Sequence, residues 1–305
     1  MNSNLKATIL LLLTTVFWGG NFVIGKVVVQ TIPPFIMAFF RWGIALVFLG
    51  ALVYKEGLPS KLLIKKYWLE IGIMALSGIS AFNTLVYFAV KYTTSVNAAL
   101  VNALSPMVIL ILSTIVIKEK LGWFQGFGGL LSFLGVLTVI SRGDLSVLLH
   151  WDFNLGDLLM IIAVILWGIY SILMKKVTAE ISSIQVTSIS AFIGWIALIP
   201  FALYEYIQVK PLHFNLVNIS GLLYIGIFAS FLAFLWWNKG VIQLGAGKAA
   251  VFLNLIPFFA ALLSYLFLKD QLVHTQIIGG ILIISGVMLA NSNQWMKHFK
   301  QIERQ

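Results

Sequence analysis

Two pairs of sequence segments decide the fold of this chain because each pair is a repeat. Residues 98–106 read AALVNALSP and residues 249–257 read AAVFLNLIP, while residues 118–136 read KEKLGWFQGFGGLLSFLGV and residues 269–287 read KDQLVHTQIIGGILIISGV. Both pairs align without a gap at one shift of 151 residues, the distance from position 98 to position 249. Matching of apolar residues by chance would not also align a proline, a lysine–acid pair and a Gly-Gly-x5-Gly series. The chain therefore contains an internal repeat.

The composition around these repeats is that of an integral membrane protein. Of 305 residues, 60% are hydrophobic and 10% are charged, and the mean hydropathy is +1.00. Soluble domains carry about 25% charged residues, so soluble enzymes, nucleic-acid-binding proteins and disordered proteins are excluded. The chain has no cysteine, which excludes disulfides and thiolate metal sites. We expect a lipid bilayer, and no nucleic acid, as its surroundings.

Charges and turn residues divide the apolar sequence into ten predicted spans. A helix needs roughly 20 apolar residues to cross the hydrocarbon core of a bilayer, and each of the ten segments has about that length. The predicted spans are 6–29, 34–54, 68–90, 95–117, 122–141, 157–175, 184–204, 218–238, 246–268 and 271–291. The sequence therefore predicts an all-α integral membrane protein with ten transmembrane helices.

The distribution of lysine and arginine predicts the orientation of these spans. If the N-terminus is cytoplasmic, fourteen of the 20 basic residues fall on the inner side, five fall outside, and Arg41 lies within the second span. Cytoplasmic loops carry an excess of basic residues. We therefore expect a multi-pass protein of the cell (plasma) membrane with both termini in the cytoplasm, which requires an even number of spans.

Each repeat holds five predicted spans, and an odd number inverts the second copy relative to the first. We predict a first five-helix repeat over residues 1–144, a second, inverted repeat over residues 145–291, and a cytoplasmic tail over residues 292–305. Inverted repeats place a substrate site near the bilayer midplane and open it alternately to each side. The repeat thus predicts a transporter with a central cavity.

The chain resembles the drug/metabolite transporter superfamily, and specifically its ten-span EamA-type permeases, over nearly its whole length. The resemblance rests on FWGGNF at 17–22, FRWGIA at 40–45, and the Ala-Ala, Pro, Lys-acid and glycine series that occurs in both repeats. It implies a monomer or weak homodimer that exports or exchanges small metabolites, often amino acids. It does not identify the substrate.

Polar and aromatic residues inside the spans are candidates for lining the substrate path. Polar groups in lipid are costly and usually face the interior of the helix bundle. The candidates are Trp18, Asn21, Asn83, Tyr87, Asn102, Trp167, Tyr170, Ser171 and Asn254. The alternative is that the amides only join helices and the tryptophans form an interfacial belt. We favour the belt for Trp236 and Trp237, whereas the first two candidate tryptophans lie in mid-span.

Matched prolines and glycines predict features of the helices. Pro106 and Pro257 occupy equivalent positions, where they are expected to kink their helices, either as gating elements near the binding region or as static kinks. The glycines come in pairs seven residues apart, which places both members of a pair on one helix face for close packing. These residues are Gly128, Gly135, Gly279 and Gly286. We expect the fifth and tenth spans to form a scaffold away from the cavity.

Arg41 is the one charged residue that lies clearly inside a predicted span. It is about seven residues, or ~10 Å, from the outer end of the second span. Its planar fork could bind a substrate carboxylate through two hydrogen bonds. Alternatively, it could snorkel or cap carbonyl groups to fix the helix. The resemblance favours this structural role.

The middle parts of the spans lack acidic residues and histidines. All ten acidic residues, Asp157 and Glu205 among them, and all four histidines map to loops or helix ends. Proton-coupled carriers usually keep such groups within the membrane, so we expect facilitated diffusion or exchange.

Without catalytic pairs, metal clusters or a Walker A sequence, we expect neither an enzyme nor a cofactor. The alternatives are a multidrug exporter, which would need an acidic residue for cationic drugs, and a membrane-embedded lipid-handling protein or enzyme.

Overall fold

The computed structural model describes residues 3–116, 123–141, 143–144, 146, 154–209, 212, 214–244, 249 and 252–302, and within these residues all regular elements are helical. In the first repeat the α-helices are α1 (Ser3–Val28), α2 (Pro34–Glu56), α3 (Lys61–Lys66), α4 (Trp68–Met74), α5 (Phe82–Tyr92), α6 (Ser95–Asn102), α7 (Ser105–Val116) and α8 (Trp123–Ile140). In the second repeat they are α9 (Leu155–Val177), α10 (Ser183–Val209), α11 (Leu216–Tyr224), α12 (Ala233–Leu244), α13 (Ile256–Leu268) and α14 (His274–Ile302).

Six helical stretches in the described residues are long and apolar enough to cross a membrane. They are Leu5–Val28, Pro34–Glu56, Trp68–Tyr92, Leu155–Val177, Ser183–Val209 and Leu216–Leu244. Four shorter apolar stretches, Ser95–Ile109, Gly126–Val139, Leu253–Leu268 and His274–Gly286, coincide with the predicted fourth, fifth, ninth and tenth spans. The structure is thus that of an all-α membrane protein, and the count of ten spans stays a prediction.

Some of the sequence predictions concern residues that the structure does not describe. Residues 118–122 of the first repeat lie outside the described residues, and so do the basic residues Arg142, Lys210, Lys248 and Arg304. Residues 292–302, which belong to the predicted tail, continue α14 as helix, whereas residues 303–305 are again outside the described residues.

The third long helix of each repeat contains a π-helical segment at an equivalent position. The first π segment is Ala75–Ala81, between α4 and α5, and the second is Ile225–Leu232, between α11 and α12. In each segment a serine hydroxyl donates a hydrogen bond to the carbonyl five residues earlier in the chain. Ser80 donates to Ala75 at 3.2 Å, and Ser230 donates to Ile225 at 2.7 Å. π-Helical turns are rare and frequently occur at functional sites.

Helices α8 and α14 pack against each other through their glycines. A Cβ atom on Gly135 would lie 2.7 Å from the carbonyl oxygen of Gly279, and one on Gly286 would lie 2.5 Å from the carbonyl oxygen of Gly128. The contacts are reciprocal, because Gly128 and Gly279 are equivalent in the repeat, and so are Gly135 and Gly286. The same contacts show that the two helices run antiparallel.

The two helices that carry the matched prolines are interrupted just before them. In the first repeat α6 ends at Asn102, and α7 begins at Ser105, whose hydroxyl donates to the Asn102 carbonyl at 2.6 Å. In the second repeat a 3-10 turn, Leu253–Leu255, precedes α13. Pro106 and Pro257 therefore lie in the first turn of a new helix, where proline's missing N–H costs nothing. The structure thus places an interruption of the α-helix directly before each proline, and the expected kinks stay a prediction.

Candidate functional site

A small cavity lies between residues of the two repeats. Its polar lining comes from Asn21, Arg41, Asn83 and Asn102. Its aromatic lining comes from Trp18, Phe22, Phe82, Trp167 and Phe234, and Val86, Leu253 and Ile256 complete the wall. The volume of about 30 Å³ accommodates one or two water molecules, far less than the roughly 300 Å³ of even a small ligand site. The cavity is therefore closed in this conformation.

Arg41 is the centre of the polar wall, and three helices supply its partners. Its Nη1 donates to the Tyr87 hydroxyl at 2.7 Å and to Asn21 Oδ1 at 3.3 Å, and its Nη2 donates to the carbonyl of Ala229 at 3.3 Å. The Tyr87 hydroxyl in turn donates to Asn21 Oδ1 at 3.2 Å. Arg41 is only 1% exposed, and Tyr87 is fully buried. Tyr87 thus supports the cavity through Arg41, and it is not among the cavity-lining residues.

The partners of Arg41 are neutral. Its guanidinium carbon lies 5.6 Å from the ring centroid of Trp42 and 5.8 Å from that of Tyr87, which are cation–π distances. Among the described residues no carboxylate lies within ion-pair distance of Arg41, and its Nε has no hydrogen-bond partner. The cavity thus holds a buried cation that aromatic rings and neutral oxygens stabilise.

Beside this network lies a cluster of aromatic rings from both repeats, and Trp18 Nε1 donates to the same Ala229 carbonyl that accepts from Arg41. Trp18 lies 5.6 Å from Trp167 and 5.5 Å from Trp237 between ring centroids, and Trp167 lies 5.2 Å from Tyr170 and 5.6 Å from Phe234. The expected belt position is wrong for Trp237, which is 3% exposed and belongs to this cluster. Apolar and aromatic groups would be favoured against such a surface.

Backbone carbonyls of the two π segments accept hydrogen bonds from the site. Trp42 Nε1 donates to Ile79 O at 3.0 Å, and Trp18 Nε1 donates to Ala229 O at 3.0 Å. The two acceptors are equivalent at a shift of 150 residues. Asn83 Nδ2 donates to the carbonyls of Gly78 at 2.8 Å and Ile79 at 2.9 Å. The amide nitrogen of Asn83 is therefore occupied by carbonyls of its own helix, although the residue lines the cavity.

The remaining candidates lie close to the cavity without lining it. Tyr170 packs on Trp167, and the hydroxyl of Ser171 donates to the Trp167 carbonyl at 2.8 Å, which occupies it within its own helix. Asn254 lies between the lining residues Leu253 and Ile256, is 4% exposed, and has no partner among the described residues for either polar atom of its amide. A buried amide without partners is unfavourable by about 1–3 kcal/mol.

Polar contacts cluster at one end of the bundle, where Thr93 of the first repeat bonds to Asp157 of the second. Lys26 Nζ donates to the Thr93 carbonyl at 2.8 Å, and the Thr93 hydroxyl donates to Asp157 Oδ1 at 2.8 Å. Nearby, Ser264 donates to Asp270 Oδ2 at 2.7 Å. Asp157 does lie in the first turn of its helix as the sequence indicates, but it is 1% exposed, so a helix-end position did not keep this carboxylate at the surface.

Ion pairs join the repeats at the opposite end. Lys66 pairs with Glu180, which also accepts from the Tyr67 hydroxyl at 2.6 Å, and Lys176 pairs with Glu70 at 2.8 Å. The hydrogen bonds from Lys66 and then Tyr67 hold the pKa of Glu180 below its ordinary value, and the bond to Glu180 raises the pKa of Lys66. The described residues contain no group of three or more His, Asp or Glu side chains that could hold a metal ion.

Comparison with known proteins adds independent information. The profile of the EamA-like transporter family matches residues 5–141 and again residues 154–292. "Uncharacterized transporter YyaM" of Bacillus subtilis (strain 168) is 30% identical over 292 residues, covering 94% of each chain. An "Uncharacterized transporter" of Archaeoglobus fulgidus is 32% identical over 294 residues, covering 95% of this chain and 99% of the relative.

Two further similarities concern a more distant relative and a solved structure. A "Probable terminal-alkyne amino-acid exporter" of Streptantibioticus cattleyicolor is 22% identical over 223 residues, covering 72% of each chain. One solved crystal structure superimposes with a TM-score of 0.63 at 19% identity, covering 93% of this chain and 96% of that chain. This last similarity shows a shared fold.

Proposed function

Because the chain belongs to the EamA-like transporter family, we propose that it is a secondary transporter that exports or exchanges small metabolites, amino acids or related compounds among them. Family members are membrane transporters and not enzymes. The proposed mechanism is alternating access, in which two five-helix halves open a shared site to one side of the membrane and then to the other.

The observation that carries this proposal is the cavity itself. Side chains of both repeats line this one space, which combines an arginine and three asparagines with aromatic rings. A transport site needs both kinds of surface, because polar groups orient a ligand and apolar ones desolvate it. The similarity to the probable terminal-alkyne amino-acid exporter of Streptantibioticus cattleyicolor supports the proposed cargo.

The reciprocal contacts between α8 and α14 support ten spans in two inverted halves, residues 1–144 and 145–291. In a two-fold arrangement, if residue i contacts residue j of the partner, then j contacts i of the partner. Gly135 with Gly279 and Gly128 with Gly286 follow this rule. The equivalent helix breaks before Pro106 and Pro257 also support it.

Alternating access accounts for the polar contacts at both ends of the bundle. The Lys26–Thr93–Asp157 contacts close one end, and the Lys66–Glu180 and Lys176–Glu70 ion pairs close the other. Opening the cavity to either side would separate one set and leave the other in place. The helix breaks before Pro106 and Pro257 are suitable hinges, since interrupted helices bend at little cost in hydrogen bonds.

Transport without a proton relay is also part of the proposal. Among the residues that line the cavity, Arg41 is the one with an ionisable side chain, and arginine does not release its proton in proteins. The buried Asp157 lies at the end of the bundle with Thr93. The same lack of an acidic lining residue disfavours the alternative of an exporter of cationic drugs, and the lack of a catalytic pair there disfavours a lipid-handling enzyme.

The proposal places the protein in the plasma membrane with both termini in the cytoplasm. The basic residues favour this orientation. We expect a monomer or weak homodimer whose partners are its substrate and the lipid bilayer, with no cofactor.

Transport by the purified protein in proteoliposomes tests the function. Vesicles loaded with one unlabelled amino acid are diluted into the same labelled amino acid, and each of the 20 protein amino acids is tried in turn. We expect counterflow of at least one of them above empty vesicles. A matched set with an imposed pH gradient should give the same rate for a neutral substrate. A strong dependence on the gradient contradicts transport without a proton relay, and no counterflow of any compound contradicts amino-acid exchange.

A further inference from the structure

We propose that Arg41 binds the carboxylate group of the transported compound inside the cavity, which makes this residue a substrate anchor. The inference rests on the proposed function and goes beyond it, because it names the group of the substrate that is recognised and the atoms that recognise it. It also departs from the structural role that the sequence resemblance favours.

The first observation is electrostatic. Arg41 is 1% exposed within a membrane-spanning helix, and the described residues provide no carboxylate beside it. Charged groups inside membranes usually pair with a group of opposite charge, because an isolated buried charge is strongly unfavourable. An anionic substrate would supply the missing charge, and the structure contains a cavity on which Arg41 already borders.

The second observation is the use of the guanidinium donors. An arginine has five N–H donors, and three bonds are formed, two from Nη1 to Tyr87 and Asn21 and one from Nη2 to Ala229. The Nε–H and one hydrogen of Nη2 remain, and Nε has no partner among the described residues. Nε and Nη2 form one edge of the planar group, and a carboxylate binds such an edge through two parallel hydrogen bonds.

The third observation is that the guanidinium is held in position before a ligand arrives. Tyr87 and Asn21 both contact Nη1 and also bond to each other at 3.2 Å, so the side chain is fixed from the edge opposite Nε. Fixing a binding group in advance reduces the entropy lost on binding. A snorkelling arginine would instead extend toward the membrane surface, where water could reach it.

The composition of the cavity further defines the ligand. Trp18, Trp167 and Phe234 line the same cavity as Arg41 and supply apolar surface, and no acidic residue lines the cavity to bind an ammonium group. We therefore expect the carboxylate to be required and the amino group to be dispensable. Compounds with one carboxylate and an apolar or aromatic body fit these conditions best.

The test on the wild-type protein uses chemical variants of one compound. Counterflow of labelled L-phenylalanine, or of whichever amino acid gives the largest counterflow, is competed with three unlabelled compounds: the same amino acid, its primary amide and its N-acetyl derivative. We expect the amide, which lacks the carboxylate charge, to compete at least about tenfold more weakly. The N-acetyl derivative, which keeps that charge and lacks the ammonium, should compete within about threefold of the amino acid. Equal competition by the amide would overturn the proposal while leaving transport established.

Substitution of Arg41 tests the anchor directly. Arg41→Gln should abolish the preference for the amino acid over its amide, and Arg41→Lys should retain only part of it, because a lysine offers charge without the planar fork. Lys55→Gln is the control, since it removes a positive charge from the exposed end of the same helix. A preserved preference in Arg41→Gln contradicts the anchor. If that variant does not fold, the wild-type competition decides the question, and no counterflow of any compound would count against the proposed function instead.

Discussion

The hydroxyl of Ser132 on α8 donates to the carbonyl of Ile283 on α14 at 3.1 Å, and the two residues are 151 positions apart. That separation is the shift of the internal repeat, so each residue contacts its own equivalent. Such a contact occurs where a two-fold axis passes between related segments. We infer that the axis relating the two halves crosses the α8–α14 contact near these residues.

The close packing at this contact gives the first prediction. A methyl group on Gly135 would meet the backbone oxygen of Gly279, which cannot move like a flexible side chain. We expect Gly135→Ala to destabilise the protein by about 1–3 kcal/mol, measured as a lower thermal midpoint in detergent. Gly126→Ala on the same helix is the control, because a Cβ atom there has no neighbour within 4 Å. Equal midpoints for the two variants would mean that the close contact is not needed.

Substitutions of Asn83 and Tyr87 are expected to differ in their effects on stability and transport. Asn83→Leu removes the donor to the Gly78 and Ile79 carbonyls of the first π segment, so it should lower the thermal midpoint as well as transport. The Ile79 carbonyl keeps its bond from Trp42 Nε1, so the loss falls on the Gly78 carbonyl, and losing a buried hydrogen bond there costs about 1–3 kcal/mol. Tyr87→Phe keeps the ring and removes only the hydroxyl that holds Arg41, so transport should fall at least about fivefold with less loss of stability.

The matched control for this pair is Tyr92→Phe, since Tyr92 lies at the exposed end of the same helix. Transport and thermal midpoint are measured in parallel on all three variants. Wild-type transport by Tyr87→Phe would remove the proposed role of its hydroxyl, and an unchanged midpoint for Asn83→Leu would show that the π carbonyls do not need this donor.

The orientation of the third long helix can be tested without background labelling, because the chain has no cysteine. Lys65 and Lys91 are exposed and lie at opposite ends of the Trp68–Tyr92 stretch. In intact cells we expect Lys91→Cys to react with a membrane-impermeant maleimide and Lys65→Cys to react only after permeabilisation. Reaction of both from outside would contradict a spanning helix, and the reverse pattern would contradict cytoplasmic termini.

The ion pair between Lys66 and Glu180 predicts a pH dependence of stability. The folded-state pKa of Glu180 is lowered by its bonds to Lys66 and Tyr67. The pair therefore stabilises the protein above the unfolded-state pKa of about 4.3, and this contribution is lost as pH falls through the lower folded-state value. Glu180→Gln should have a slightly lower thermal midpoint than wild type at pH 7.

The difference between these two proteins should disappear as the pH approaches 3, provided that both still fold there. Because Lys66 and Glu180 are exposed, added salt should reduce it at neutral pH. A difference that grows on acidification would show that the carboxylate acts in another way.

The helices could be predicted from the sequence because lipid requires long apolar stretches. The six long apolar helices agree with predicted spans to within six residues at each end. Five of the candidate residues line the cavity: Trp18, Asn21, Asn83, Asn102 and Trp167. A polar side chain inside an apolar stretch is a strong signal, since few other positions in a bundle tolerate it.

Contacts between helices were harder to predict. The bond from Arg41 to Tyr87 joins residues 46 positions apart, and no spacing rule for one helix contains that information. The π segments have no distinct composition, since they differ from α-helix only in which carbonyl each amide reaches. Asp157 and Trp237 lie near helix ends, which predicts exposure, but neighbouring helices cover both side chains.

The π segments also have a geometric consequence. Each residue advances an α-helix by about 100°. When a π segment takes one extra residue into a wider turn, the side chains after the segment are rotated about the helix axis relative to the side chains before it. In the first repeat the stretch near Ala75 packs on Gly194 of α10, whereas Tyr87 contacts Arg41. Deleting one residue between Ala75 and Ala81 would let the helix continue without interruption while turning Tyr87 away from Arg41. The direction in which this part of the binding site faces is thus determined by the length of a segment several residues away.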